Sequence, residues 1–170
     1  MADHDGQKEH AGALAQVDNR HGQSIEIFRR RLKSDSILPA PSTTDDSGSS
    51  AIASGSHRTA GMVILPCSMG AVGRMASGVA TDLLERAADV HLKEGRPLVI
   101  CPRELPWNLV HLRNLTALAE AGARIAPPVP AWYHQPSSIE EMVDFLVIRV
   151  FDCLGLELGQ LRRWSGPIQP

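Results

Sequence analysis

Three short apolar runs constrain this chain more than any other feature: GMVILP at 61–66, PLVICP at 97–102 and ARIA at 123–126. None alternates apolar with polar residues, as a strand with one wet face would. Helical periodicity fills the spaces between them. Residues 75–94 read as a helix, with Met75, Val79, Leu83 and Ala87 at four-residue spacing along one face. Residues 108–121 read as a second, with Leu109, Leu112, Leu115 and Leu118 at three-residue steps. Ser137 or Ser138 can cap a third, with Glu140 or Glu141 three residues on completing a capping box; it runs to about Leu154 and stops at Gly155. Uniformly apolar strands separated by helices imply an α/β fold, a parallel sheet with helices on both faces.

Composition divides the chain in two. Residues 1–46 hold many polar and charged residues and few large apolar ones, and PSTTDDSGSS at 41–50 reads as a linker. Such a segment buries too little apolar surface to offset its ordering entropy, so it is expected to be disordered or a replaced N-terminal segment. A short helix at 24–33 is the exception. Residues 47–165 are expected to form the folded domain. A formal charge of −2 argues for neither a nucleic-acid surface nor a polybasic membrane contact. No apolar run approaches the roughly 20 residues of a membrane span, and the N-terminus lacks a signal-peptide core. Three widely spaced cysteines suit a reducing cytoplasm. The histidines show no metal-ligand spacing.

Parallel sheets bind ligands beyond the carboxyl ends of their strands, so the residues just after each run matter most. Cys67-Ser68-Met69-Gly70-Ala71 follows the first. Small residues there admit a ligand close to the backbone, and the next helix offers free amides to an anion; an ordinary tight turn has the same look. Arg103 and Glu104 follow the second, suited to anion binding and proton transfer or to a solvated pair at the rim. The third leads into a proline-stiffened loop presenting Trp132 and Tyr133, which either covers an apolar ligand or packs on the surface. Arg149 falls on the stripe of Met142, Leu146 and Cys153, and either snorkels or meets an anion. Arg86 and Lys93, seven residues apart, share a face that reads by default as solvated.

Taken in order, IASGSHRTAGMVILPCSM, LLERAADVHLKEGRPLVICPRELP and HLRNLTALAEAGARIAPPVPAWYHQPSSIEEMVDFLVIRVFDCLGL resemble successive segments of UbiX-type flavin prenyltransferases, over residues 47–164. The resemblance implies a flavodoxin-like fold and transfer of a dimethylallyl group from dimethylallyl phosphate to reduced FMN. The prenylated FMN would serve UbiD-type decarboxylases, as in ubiquinone biosynthesis. It implies that Ser68, Met69, Gly70, Ala71 and Arg103 contact FMN and that Glu104 moves protons during ring closure. Arg86, Lys93, Tyr133 and Arg149 would hold the dimethylallyl phosphate, and Trp164 would lie near the prenyl group. It further implies a homo-oligomer, a dodecamer in the family, with sites between subunits.

Residues 1–46 contain no match to the family's opening strand and its Gly-Ala-Ser-Gly type loop, which holds the FMN phosphate. GQSIEIFRRRLK is the nearest segment and matches poorly. The expected sheet therefore lacks its first one or two strands. Two other functions stay open: an inactive remnant or oligomer-interaction subunit of the same family, and a related flavoprotein that decarboxylates cysteine-containing peptides.

Overall fold

The computed structural model describes Ala13–Gln16, Leu38–Pro39 and residues 51–156. The expected 24–33 helix, Trp164 and most of the N-terminal segment lie outside the described residues.

The strands are β1 (Ala13–Gln16), β2 (Leu38–Pro39), β3 (Gly61–Cys67), β4 (Leu98–Pro102) and β5 (Arg124–Ile125). They form one sheet in the order β2-β1-β3-β4-β5, every neighbouring pair parallel. That is the flavodoxin-like order, whose switch point lies between β1 and β3. The sequence marks no strand before residue 47, yet two short ones stand there in the sheet. Their shortness explains why they escape notice. ALAQ carries one large apolar side chain, and β2 is two residues ending in proline, a residue that disfavours strand interiors.

The helices are α1 (Met69–Ala76), α2 (Leu83–Lys93), α3 (Leu109–Glu120) and α4 (Ile139–Leu154). The single helix expected at 75–94 is two. Gly78 at φ 70° ends α1 just past Ser77, and Asp82 caps α2, its side chain accepting from the Glu85 amide at 2.9 Å. Val79 falls in the break and is exposed. Ser138 caps α4, and Gly155 closes it at φ 76°. The Leu156 amide reaches back to the Phe151 carbonyl at 3.1 Å, the six-to-one bond of a Schellman end.

Both faces of the inner strands are covered. Met62, Ile64, Leu98 and Ile100 pack with Met69, Val72, Met75, Ala87, Ala88, Leu115 and Leu118, under α1, α2 and α3. Val63, Val99 and Cys101 point the other way, onto Val147, Val150, Phe151 and Leu154 of α4. Two covered faces explain why β3 and β4 read as unbroken apolar runs. In α3 only Leu115 and Leu118 are buried; Leu109 and Leu112 stay exposed beside Val110. Three-residue steps drift around a 3.6-residue helix, so four such leucines do not share one buried face.

Candidate functional site

Because all strands run the same way, the loops after β3, β4 and β5 emerge on one edge of the sheet. The Arg103 amide donates to the Cys67 carbonyl at 3.0 Å, tying the end of β4 to the end of β3. The Ala126 amide donates to the Ile100 carbonyl at 2.8 Å and extends the ladder to β5. At about 4.8 Å per strand, the three loops begin within roughly 10 Å of one another.

The first loop is preorganised. Ser68 caps α1, its hydroxyl oxygen accepting from the Ala71 amide at 3.2 Å and its carbonyl from Val72 at 3.0 Å. The amides of Met69 and Gly70, ahead of those bonds, have no partner within the helix. Gly70 is exposed, and beyond its own helix backbone a Cβ there would meet only Arg74 Nη1 at 3.5 Å and Ser68 Oγ at 3.9 Å. Cys67, beside this loop, is not a nucleophile: burial, then the charge of Glu85, push its thiol up to about 12 against the pull of Arg74.

The other two loops supply charge and apolar surface. Arg103 and Glu104 are both exposed at the end of β4. Leu105 is 94% exposed, Trp132 69% and Tyr133 64%, so the same edge carries a large uncovered apolar rim. Tyr133 is steadied from below, its ring edge-on to Phe145 of α4 at 5.8 Å between centroids and edge-on to His134 at 5.6 Å. His134 in turn stacks on Phe145 at 4.7 Å. Free amides, a hydroxyl and a guanidinium beside exposed aromatic rings make a donor set that fits an anionic ligand with a planar ring system, as FMN is.

The remaining expected residues lie elsewhere. Lys93 ends α2 just before the turn into β4, at the amino edge of the sheet. Arg96 confirms that position by donating to the carbonyls of Gly55 and His57, ahead of β3. The five residues of β4 separate Lys93 from Arg103 by about 16 Å. Arg86 and Arg149 sit on the outer faces of α2 and α4, both exposed. Each of these cations meets a nearby carboxylate: Arg86 with Asp89 at 2.8 Å, Arg149 with Asp152 at 2.9 Å, Lys93 with Glu94 at 3.5 Å. Surface pairs of this kind contribute about 0–1 kcal/mol, so they hold the side chains only loosely. One chain therefore brings together Ser68, Met69, Gly70, Ala71, Arg103, Glu104 and Tyr133, and leaves Arg86, Lys93 and Arg149 apart.

Two polar residues that the sequence did not single out are buried. His91 donates from Nδ1 to the Ala87 carbonyl at 2.7 Å, which leaves Nε2 to accept from the Thr59 hydroxyl at 2.8 Å. Burial holds its pKa below the usual histidine value, against the Ala87 hydrogen bond and with help from Arg96. Glu85 is the other, and pairs with Arg74. No signal in the sequence marks this pair, because the partners sit on different helices.

The flavoprotein family model matches residues 14–151, from β1 to within α4. The chain belongs to this family, in its UbiX-like branch. The flavin prenyltransferase UbiX of Synechocystis is 61% identical over 118 residues, 69% of this chain and 57% of that protein. The chain thus spans less than two thirds of the length of the curated relatives it matches. Among solved structures, a dodecameric FMN-dependent UbiX-like decarboxylase from Escherichia coli O157:H7 superimposes with a TM-score of 0.77 at 31% identity, covering 91% of this chain and all of that one. AnUbiX, crystallised with FMN and dimethylallyl pyrophosphate, gives 0.76 at 32% identity, covering 92% and 97%. Both alignments reach beyond the segment that the sequence resemblance covers, in keeping with the places of β1 and β2 in the sheet.

Proposed function

We propose that this chain is a flavin prenyltransferase that moves a dimethylallyl group from dimethylallyl phosphate to reduced FMN. The observation that carries the reading is the convergence of residues 68–71, Arg103, Glu104 and Tyr133 on the carboxyl edge of a 2-1-3-4-5 sheet, beside its switch point. The AnUbiX structure, which holds FMN and dimethylallyl pyrophosphate, supports the ligand classes.

When bound, reduced FMN supplies the nucleophilic ring positions that take up the dimethylallyl group. The chain's own residues hold, charge and shield. The Ser68 hydroxyl, the backbone of Met69, Gly70 and Ala71, and the Arg103 guanidinium hold FMN. Trp132 and Tyr133 give the prenyl group an apolar wall. Glu104, next to Arg103, accepts the proton released as the new ring closes. Arg86, Lys93 and Arg149 neutralise the phosphate as it leaves, and the Tyr133 hydroxyl donates a hydrogen bond to it.

Lys93 can share a ligand with Glu104 only if another subunit brings it, since one chain keeps it at the opposite edge. The reading therefore includes a homo-oligomer with sites between subunits, in line with the dodecameric relative. Trp164, outside the described residues, is assigned near the prenyl group by the resemblance alone. The product would pass to a UbiD-type decarboxylase. Among the described residues no helix is long and apolar enough to cross a membrane, and with free thiols at Cys67, Cys101 and Cys153 we place the chain in the cytoplasm.

The test is anaerobic: reduced FMN and dimethylallyl phosphate are mixed with the protein, and the extracted flavin is weighed by mass spectrometry. Prenylated flavin is expected from the wild type, and at least tenfold slower turnover from Glu104→Gln with substrate affinity kept. No product under conditions where a full-length relative makes it would leave the inactive-subunit reading in place.

A further inference from the structure

Arg74 on α1 and Glu85 on α2 form an ion pair that none of these roles uses. The Glu85 side chain is fully buried, while that of Arg74 is 42% exposed. Glu85 Oε1 accepts from Arg74 Nε at 2.6 Å and lies 2.6 Å from Nη2. Its Oε2 accepts from the Thr81 amide at 2.7 Å and the Thr81 hydroxyl at 2.8 Å. Both carboxylate oxygens are committed, so the carboxylate cannot turn to follow a moving partner. Burial pushes its pKa up, but the bonds from Thr81 and Arg74, with the charge of Arg74, outweigh it and keep Glu85 ionised at neutral pH.

Two of the three guanidinium nitrogens of Arg74 are thereby fixed. The third, Nη1, makes no hydrogen bond among the described residues. It is turned back along α1, so that a Cβ built on Gly70 would stand 3.5 Å from it. That is the direction a helical side chain takes, over the turn before its own Cα. An exposed arginine on an ordinary surface pair keeps much of its rotamer freedom and loses it on meeting a ligand. Here a buried anion has already ordered it, with its open N–H donors beside Gly70.

We propose that Arg74 is a further flavin-contacting residue, held by Glu85 so that its Nη1 faces the FMN at residues 68–71. The inference rests on the reading of that loop as part of the flavin site. Glu85 is then a positioning residue that acts through Arg74. The ligand chemistry is that of an anionic flavin, to which a fixed guanidinium gives a charge-assisted hydrogen bond.

Titration of FMN fluorescence with the full chain tests this. Arg74→Gln is expected to weaken FMN binding about tenfold and to flatten its dependence on salt. That variant leaves a buried carboxylate short of its partner, so Arg74→Gln/Glu85→Gln is measured beside it. The double variant replaces the ion pair with two amides that can still bond each other and Thr81. It should melt close to the wild type and show the same tenfold loss. Arg103→Ala marks the site independently. If the double variant folds and binds FMN as tightly as the wild type while Arg103→Ala binds weakly, Arg74 is only structural and the proposal falls. If the wild type itself binds no FMN, the site reading falls first and takes the proposal with it.

Discussion

Replacing Gly61 by alanine tests how α4 lies against the sheet. Gly61 opens β3. A Cβ there would stand 2.8 Å from Leu154 Cδ2, 3.1 Å from the Pro97 carbonyl oxygen and 3.2 Å from Pro97 Cβ. Leu154 ends a flexible side chain and can move. The Pro97 carbonyl cannot, because it accepts the Met62 amide at 2.9 Å where β3 and β4 begin. Overpacking of this kind costs about 1–3 kcal/mol. Alanine recovers about 0.5–1 kcal/mol of the entropy that glycine loses in a strand. The net expectation is a loss of about 1–2 kcal/mol, or roughly 4–8 °C in Tm for a domain of this size. Thermal and urea unfolding followed by circular dichroism would measure it. In a Leu154→Ala background the added cost should shrink but not vanish, since the carbonyl contact stays. A Gly61→Ala protein as stable as the wild type would refute the packing of the α4 C-terminus on the amino end of β3. That packing is what sends the start of α4, and Tyr133 before it, to the carboxyl edge.

Stability should fall as pH drops below about 6.5, because burial keeps His91 neutral in the fold while the unfolded chain takes up a proton. His91→Gln should lack that slope in urea titrations across pH. A second loss should begin below about pH 4.5 and finish as the lower folded pKa of Glu85 is passed, since its stabilisation is complete only above the unfolded value. Native protein at pH 8 should resist alkylation at Cys67 and Cys101, both buried with pKa values pushed up to about 12, and react first at half-buried Cys153; peptide mass mapping reads the order. Arg149→Ala should leave the unfolding free energy within about 0.5 kcal/mol of the wild type, because it removes only a surface pair. It should weaken dimethylallyl phosphate binding at least tenfold if a neighbouring subunit presents this residue to the phosphate.

Most of the α/β frame was readable where burial and local chemistry agree. Unbroken apolar runs mark β3 and β4 because helices cover both faces, and the Ser138 cap and Gly155 stop bound α4 because capping is a local event. β1 and β2 were not readable, since six residues with a proline carry no pattern of their own and join the sheet only through β3. The break between α1 and α2 was hidden by the apolar spacing of Met75, Val79 and Leu83, although Gly78 and Asp82 mark it. Within the candidate site, residues just after the strands could be found from topology alone. Arg86, Lys93 and Arg149 could not, because one chain scatters them and only the family resemblance assigns them a phosphate role. Arg74 escaped notice because its partner lies 11 residues away on another helix.

Hydrogen–deuterium exchange with and without FMN tests the central claim, that the carboxyl-edge loops of this chain build a flavin site. Added FMN should slow exchange in peptides covering residues 67–71, 102–107 and 126–134 together, and Arg103→Ala should abolish the effect at the same FMN concentration. Unchanged exchange in all three loops at saturating FMN, or protection confined to residues 94–97 at the opposite edge, would contradict it.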